Sequence, residues 1–220
     1  MSETNERVLL LVGSPKGLER SQSARLGRLV VEGLIERGWT SESIHLHAAV
    51  ESEEGQRELL EAIGCADVVL FAAPLYLDTL PAPAIRALEL VAAQRRPGDV
   101  GRPPRFVSII QCGSIEPRQN DTCQRILQRF VDRVGFEWIG GISLGGGGRI
   151  AKHARRAFDL LIEAVDLELL VPDEVERLTR KASMASRLYV IVGNAMWRRW
   201  ADRNGVKDGL RARPYDRRAS

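Results

Sequence analysis

Three stretches of the chain, Val8-Leu-Leu-Leu-Val12, Asp67-Val-Val-Leu-Phe-Ala72 and Phe106-Val-Ser-Ile-Ile110, are almost unbroken apolar runs of strand length. A strand with one wet face alternates apolar and polar residues, so a strand apolar throughout has to be covered on both faces. That environment is a parallel sheet with helices on either side. The sequence between the runs agrees. From Ser23, the positions Leu26, Leu29, Val30, Gly33 and Leu34 recur at helical spacing until Gly38. Residues 54–64, 81–93, 121–134 and 150–170 read as further helices, 43–47 as a second strand and 136–144 as a fifth. The stretch Arg95 to Pro104 reads as a surface connection. Five strands alternating with five helices predict a doubly wound parallel sheet, because parallel neighbours need right-handed helical crossovers.

Beyond Pro172 the pattern changes. Asp173 with Glu176 three residues on resembles a helix start, and Val175, Leu178, Ala182, Ala185, Leu188, Val192 and Ala195 predict one long terminal helix. Leu188 to Val192 also fits a short strand, since periodicity does not separate the two over so short a run. The charge shifts at the same place. Residues 1–176 carry 20 basic and 26 acidic side chains, whereas 177–220 carry 12 basic and 3 acidic. We therefore expect a domain over 1–171 followed by a basic helical C-terminal extension over 172–220. Two readings of the extension stay open: docking on its own domain or a second subunit, or binding nucleic acid or an anionic membrane.

With 44% hydrophobic and 28% charged residues, the composition is that of a folded globular chain rather than a disordered one. No uncharged apolar run approaches the ~18 residues of a membrane helix, and the polar start shows no leader pattern, so a cytoplasmic location is expected. Cys65, Cys112 and Cys123 form no Cys-x-x-Cys pair, which removes a zinc ribbon or an iron–sulfur cluster. His45, His47 and His153 fall outside the glycine- and hydroxyl-rich loops and read as structural or solvated.

In an open parallel sheet, ligands bind beyond the carboxyl ends of the strands, which directs attention to the loops there. The first, Gly13-Ser-Pro-Lys-Gly-Leu-Glu-Arg-Ser-Gln-Ser23, places Ser14, Ser21, Gln22 and Ser23 with Lys16 just ahead of a helix. Hydroxyls, backbone amides and the helix dipole suit a phosphate, while a simply capped helix would also explain Ser21 or Ser23. The second, Ala73-Pro-Leu-Tyr-Leu-Asp-Thr-Leu-Pro81, is apolar where water would be met. Pro74, Leu75, Tyr76 and Leu77 suit a flat aromatic ring system, or a loop tucked into its own core. The third, Gln111-Cys112-Gly113-Ser114 followed by Glu116 and Asn120, offers a thiol and polar groups; without a neighbouring base or cation, Cys112 reads as a small buried hydrophobe. Gly145 to Gly148 reads as a flexible loop that lets a ligand approach its backbone, not as a dinucleotide fingerprint.

Taken together, Gly13-Ser-Pro-Lys with Ser21-Gln-Ser23, and Ala73-Pro-Leu-Tyr with Leu80-Pro81, resemble the two flavin loops of the flavodoxin-like NAD(P)H-dependent FMN reductase and flavin oxidoreductase family. The resemblance covers about residues 6–170. It implies the strand order 2-1-3-4-5, FMN as cofactor and NADH or NADPH as electron donor. It also implies a phosphate site at Ser14, Lys16, Ser21, Gln22 and Ser23, with Pro74 to Leu77 flanking the flavin and Cys112, Gly113 and Ser114 bordering it. Lys16 stands where the family usually has arginine, and Gly17 to Arg20 lengthen the loop. The activity implied is hydride transfer from the nicotinamide to flavin and on to a small acceptor such as a quinone, a nitro or azo compound, or free flavin. A homodimer is expected. The alternative is a non-enzymatic flavodoxin-type electron carrier or a flavin-free binding homologue.

Overall fold

A computed structural model describes residues 6–98, 102–148, 150, 152–182 and 185–211. Five strands, β1 (Arg7–Val12), β2 (Thr40–His45), β3 (Val68–Pro74), β4 (Arg105–Gln111) and β5 (Glu137–Leu144), form one parallel sheet in the order 2-1-3-4-5. The helices that carry the crossovers are α1 (Gln22–Ile35), the single turn α2 (Leu46–Ala49), α3 (Glu53–Gly64), α4 (Ala82–Gln94) and α5 (Asp121–Val134), and α6 (Lys152–Asp166) follows the last strand. This is the doubly wound architecture that the apolar runs predict.

Each face of the sheet has its own core. Leu26, Val30 and Leu34 of α1, with Phe158 and Leu161 of α6, cover Val8, Leu10, Leu70 and Ile109. On the other face, α3, α4 and α5 cover Leu9, Leu11, Val69, Phe71 and Phe106. Phe106 is the hub there: its ring lies 6.1 Å from Phe71, 6.0 Å from Phe130, 6.3 Å from Phe136 and 5.9 Å from Trp138, centroid to centroid. Truncating a buried phenylalanine of this kind costs about 3–5 kcal/mol.

The edges of the sheet differ from its centre. Strand β2 lies over 40–45, not 43–47; its polar sequence, Thr-Ser-Glu-Ser-Ile-His, is tolerated because an edge strand leaves much of its surface wet, and Leu46 and His47 already turn into α2. On the opposite edge, β5 carries a bulge opposite the step from Phe106 to Val107. Gly140 sits there at φ 136°, and a Cβ on it would come within 2.5 Å of Val171 Cβ. The Val171 amide donates to the Ile139 carbonyl at 2.7 Å, so the chain leaving α6 lies along this edge. At the start of β4, the buried Arg105 guanidinium donates to the carbonyls of Val165 (3.1 Å) and Leu169 (2.5 Å), fixing the end of α6; burial holds its pKa below the ordinary arginine value.

The long terminal helix expected from 173 onward is two helices, α7 (Asp173–Thr179) and α8 (Ser186–Arg203). Val175 and Thr179 are buried, and α7 packs on α6 and β5. The Thr179 hydroxyl bonds back to the Val175 carbonyl at 2.9 Å, and the Arg180 amide closes the last turn on Glu176. Ala182 and Ala185 keep the helical register on paper but lie in the connection, because alanine fits the spacing without demanding burial. Leu188 to Val192 is helical, not a strand. The chain divides into two compact units at residues 183/184. No described helix is long and apolar enough to cross a membrane.

Candidate functional site

The carboxyl ends of β1, β3, β4 and β5 and the start of α1 gather the loops singled out above. The phosphate-type loop begins at Gly13, whose amide donates to the Ala72 carbonyl at 2.9 Å and whose missing side chain makes room. A Cβ there would meet the Ala73 and Ala84 methyl carbons at 3.0 Å. Ser14 is buried, and its hydroxyl accepts from the Lys16 amide at 3.2 Å. Lys16 is exposed. Ser21 caps α1, its hydroxyl accepting from the Ala24 amide at 3.1 Å, and the first intrahelical bond runs from the Arg25 amide to the Ser21 carbonyl. The amides of Gln22 and Ser23 therefore precede the hydrogen-bonded part of the helix and are free for an anion. Ser23 is 1% exposed, and its hydroxyl has no partner.

Gln22 points the other way. Its side-chain amide donates to the Gly148 carbonyl at 2.8 Å, tying α1 to the loop after β5. In that loop Gly146, Gly147 and Gly148 lie at φ 65°, 72° and 72°, a run of left-handed backbone that glycine adopts without steric cost.

The loop after β3 turns sharply. The Leu75 amide donates to the Gln111 carbonyl at 2.8 Å, and Tyr76 and Thr79 exchange backbone bonds of 2.8 and 3.1 Å around Leu77 and Asp78. Those two central residues lie at φ 47° and 63°. This is unfavourable ground for a leucine, whose side chain is 99% exposed here. Pro74 ends β3 buried, while Tyr76 is 43% exposed. The loop is tucked in at both ends, where Pro74 and Leu80 are buried and Leu75 packs against the core, while its tip at Tyr76 and Leu77 stands clear.

The third loop is braced rather than open. Cys112 is buried; its amide donates to the Leu144 carbonyl at 2.9 Å, and its thiol donates to the carbonyls of Ser114 (3.5 Å) and Glu116 (3.7 Å). Burial pushes its pKa up, so the thiol stays protonated and is no nucleophile. Gly113 is exposed. The Ser114 hydroxyl accepts from the Glu116 amide at 3.2 Å, and its carbonyl accepts from the Gly146 amide.

Two residues hold partners that the sequence does not show, Asn120 reading there only as a polar group after β4 and His45 only as structural or solvated. Asn120, fully buried, donates through its side-chain amide to the carbonyls of Ile110 (3.3 Å) and Leu144 (3.1 Å), stapling the ends of β4 and β5. Its own side-chain oxygen is buried without a partner. His45 donates from Nε2 to the Ser14 carbonyl at 2.7 Å, which fixes its tautomer and braces the phosphate-type loop. The only available signal was register: in the order 2-1-3, the end of β2 lies beside Val12, one step before the loop. A cavity of about 460 Å³ lies elsewhere, along the edge of β5 between α5 and α7. Strand ends and hydrogen-bonding groups, not cavity size, therefore define the candidate site. No cluster of three or more metal-ligating side chains occurs among the described residues.

No family model and no curated protein matches the chain. Solved structures do. An NADH:FMN oxidoreductase in its apo form superposes with a TM-score of 0.62 at 15% identity, covering 84% of this chain and 98% of that one. An FMN-dependent NADH-azoreductase from Bacillus anthracis, in complex with FMN, gives 0.52 at 15% identity over 79% of this chain and 99% of that one. Rubredoxin oxygen:oxidoreductase from Desulfovibrio gigas gives 0.52 at 12% identity over 80% of this chain but 37% of that one. At such identities the likeness is one of fold. The chain has the flavodoxin-like fold, as a five-stranded parallel sheet with its loops gathered at the strand ends.

Proposed function

We propose that the chain is an FMN-dependent oxidoreductase that takes hydride from NADH or NADPH and delivers electrons to a small acceptor, a quinone, a nitro or azo compound or free flavin. The observation that carries this is the unpartnered Ser23 hydroxyl, buried at the N-terminus of α1 beside two amides that no intrahelical carbonyl uses. A buried hydroxyl without a partner costs about 1–3 kcal/mol, a cost that a phosphate oxygen would remove. The fit to FMN is also one of two parts at once: an anion site before α1, and an exposed apolar turn at Tyr76–Leu77 for a flat ring. Two of the structures similar in fold are named for FMN.

On this reading Ser14, Lys16, Ser21, Gln22 and Ser23 hold the phosphate, with Lys16 supplying a mobile positive charge. Pro74, Leu75, Tyr76 and Leu77 flank the ring, and Cys112, Gly113 and Ser114 border it through backbone groups. When bound, FMN supplies the hydride-accepting and electron-donating chemistry. The protein supplies position: His45 and Gln22 set the phosphate loop against its neighbours, and Asn120 fixes the spacing of the β4 and β5 ends. No side-chain acid or base is required by this scheme.

The test is a titration of the purified protein with FMN and, in parallel, with riboflavin, which lacks the phosphate, followed by flavin fluorescence and visible absorption. The expected result is retention of FMN, much weaker binding of riboflavin, and bleaching of the bound flavin by NADH or NADPH without oxygen. Equal affinity for the two flavins would remove the phosphate site. A protein that retains no flavin would overturn the proposal. Bleaching without turnover of a quinone or azo acceptor would favour an electron carrier.

A further inference from the structure

The cavity of about 460 Å³ along the edge of β5 plays no part in the flavin reading, and its floor is backbone. Neighbouring residues of a strand turn their amides and carbonyls to opposite edges. The Cys112 amide bonds to the Leu144 carbonyl, so Leu144 and Ile142 face β4, whereas Gly141 and Ser143 face outward, where the sheet has no further strand. Among the described residues no hydrogen bond takes the backbone groups of Gly141 or Ser143. Both residues are half-buried. Gln124 fixes this floor from the side of α5, donating to the Ile142 carbonyl and the Ser143 hydroxyl, both at 3.2 Å. Toward Ile139 the edge closes, because the Val171 amide takes the Ile139 carbonyl and the bulge at Gly140 skews the strand. What stays open is a window from the Gly141 carbonyl to the Ser143 amide. In a parallel ladder that is the span bridged by the amide and carbonyl of a single residue. It accepts one residue of an extended chain and no further strand.

The charges around the window are arranged by sign. Asp121, Arg125, Asp173, Glu176 and Arg180 line the cavity. Three of them neutralise one another, since the Arg180 guanidinium pairs with Glu176 at 2.6 Å and with Asp121 at 3.5 Å. Arg125 and Asp173 are exposed and enter no ion pair among the described residues. These two stand at opposite ends of the window. Asp173 comes two residues after Val171, whose amide is tied to Ile139, so it lies at the end nearer Ile139. Arg125 follows Gln124, whose side chain reaches Ile142 and Ser143, so it lies at the end nearer Ser143. Along β5 a carboxylate, an unused carbonyl and amide, and a guanidinium thus succeed one another. Trp138 and Leu170 add apolar wall on either side.

We propose that this cavity binds a tripeptide with free termini, extended and parallel to β5. The amide of its middle residue donates to the Gly141 carbonyl, and the carbonyl of the same residue accepts from the Ser143 amide. Its ammonium group meets Asp173 and its carboxylate meets Arg125, while the middle side chain lies against the apolar wall. The reverse direction would set like charges against each other at both ends, so the two walls select orientation as well as charge. The volume agrees, since small-molecule sites occupy about 300–1,000 Å³. Ser143 is held by Gln124 before any ligand arrives, so little order has to be imposed on the floor when one binds. The inference does not rest on the flavin reading.

A titration of the full chain with the tripeptide Ala-Leu-Ala, followed by heteronuclear NMR, tests it. The expected result is saturable one-to-one binding, with amide shifts centred on Gly141 to Ser143 and on the Trp138 indole. Methylating the leucine nitrogen of the peptide removes the donor to Gly141 and should weaken binding about tenfold. Acetylating its N-terminus, or amidating its C-terminus, should each weaken binding about two- to fivefold. Asp173→Asn should weaken the free tripeptide by a similar factor and leave the affinity of the acetylated form unchanged. Arg125→Gln should likewise weaken the free tripeptide and leave the amidated form unchanged. Those insensitive pairs also show that each variant is folded; if a variant fails to fold, the three modified peptides on the wild-type chain carry the test. No binding by the wild type, or equal affinity for the N-methylated peptide, would overturn the proposal. So would Asp173→Asn acting equally on the free and acetylated forms. Shifts centred on the loops at the strand ends would overturn it in favour of a peptide contact at the flavin-type site.

Discussion

Replacing Ser23 with alanine should move two properties in opposite directions. In the free protein the Ser23 hydroxyl is shut away from solvent without a hydrogen-bond partner. Leaving such a group unsatisfied costs about 1–3 kcal/mol, and Ser23→Ala removes the group while keeping nearly the same volume. Ala at the second position of α1 also has the higher helix propensity. Without flavin, the variant should therefore be more stable by about 1 kcal/mol, which for a chain of this size raises Tm by about 2–4 °C. With FMN the sign reverses. A hydrogen bond to a charged oxygen contributes about 1.5–3 kcal/mol, so the dissociation constant for FMN should rise by about 10- to 150-fold. Riboflavin affinity should hardly change. Calorimetric melts of the flavin-free protein and fluorescence titrations with both flavins read all of this. A variant that is less stable when flavin-free, and that binds FMN as before, would refute the reasoning, because it would mean that the hydroxyl is satisfied within the protein and does not serve the phosphate.

Other expectations are more local. Asn120→Ala strips a donor from the buried carbonyls of Ile110 and Leu144, and a net loss of about 2–3 kcal/mol should lower Tm by about 4–12 °C in thermal melts, with looser FMN binding. Leu77→Gly places glycine at φ 47°, where leucine is strained, and should raise stability by about 1 kcal/mol in urea unfolding, while removing an apolar contact for the flavin. At pH 8, an alkylating reagent followed by mass spectrometry should label the exposed Cys65 rapidly and Cys112 and Cys123 only after unfolding, since burial raises both of their pKa values. The Cys123 thiol is pushed up from the ordinary 9.0 to about 12, so unfolding releases its proton above pH 9. Stability is thus full below about pH 9 and is lost as the pH climbs from there toward 12. Cys123→Ala should flatten the alkaline limb of urea midpoints measured from pH 8 to 11.

Most of the sheet could be read from the sequence because burial on both faces leaves a plain mark. Val8 to Val12 and Val68 to Ala73 are apolar at every position, and no helix of ordinary amphipathic pattern looks like that. β2 left a fainter mark, since at the edge of the sheet the residues Thr40 to Ser43 meet water. The hydroxyl-rich stretch before α1 was equally plain, because its chemistry is local: cap, amides and hydroxyls all come from adjacent residues. Asn120 and His45 were not. Their partners are carbonyls 10 and 24 residues away for Asn120 and 31 residues away for His45, and those distances in sequence become contacts only once strand order and register are set. The division between α7 and α8 was hidden for another reason. Alanine at 182 and 185 satisfies a helical spacing while burying too little to enforce it.

The bond from the Val171 amide to the Ile139 carbonyl bears on where this fold can safely end. An edge strand with open backbone groups is a template on which other chains can add strands, and proteins guard such edges with bulges and covering segments. Here both devices sit together: the bulge at Gly140 skews β5, and the chain leaving α6 passes across it. A polypeptide stopped at Asp166, the last residue of α6, would still contain every strand and every loop at the strand ends, yet its β5 would lie bare. Such a shortened protein would be prone to fibrous aggregation, while one extended through α7 would stay in solution. The few residues after the nominal fold thus act as its selvedge, the woven border that keeps a sheet from taking on new threads.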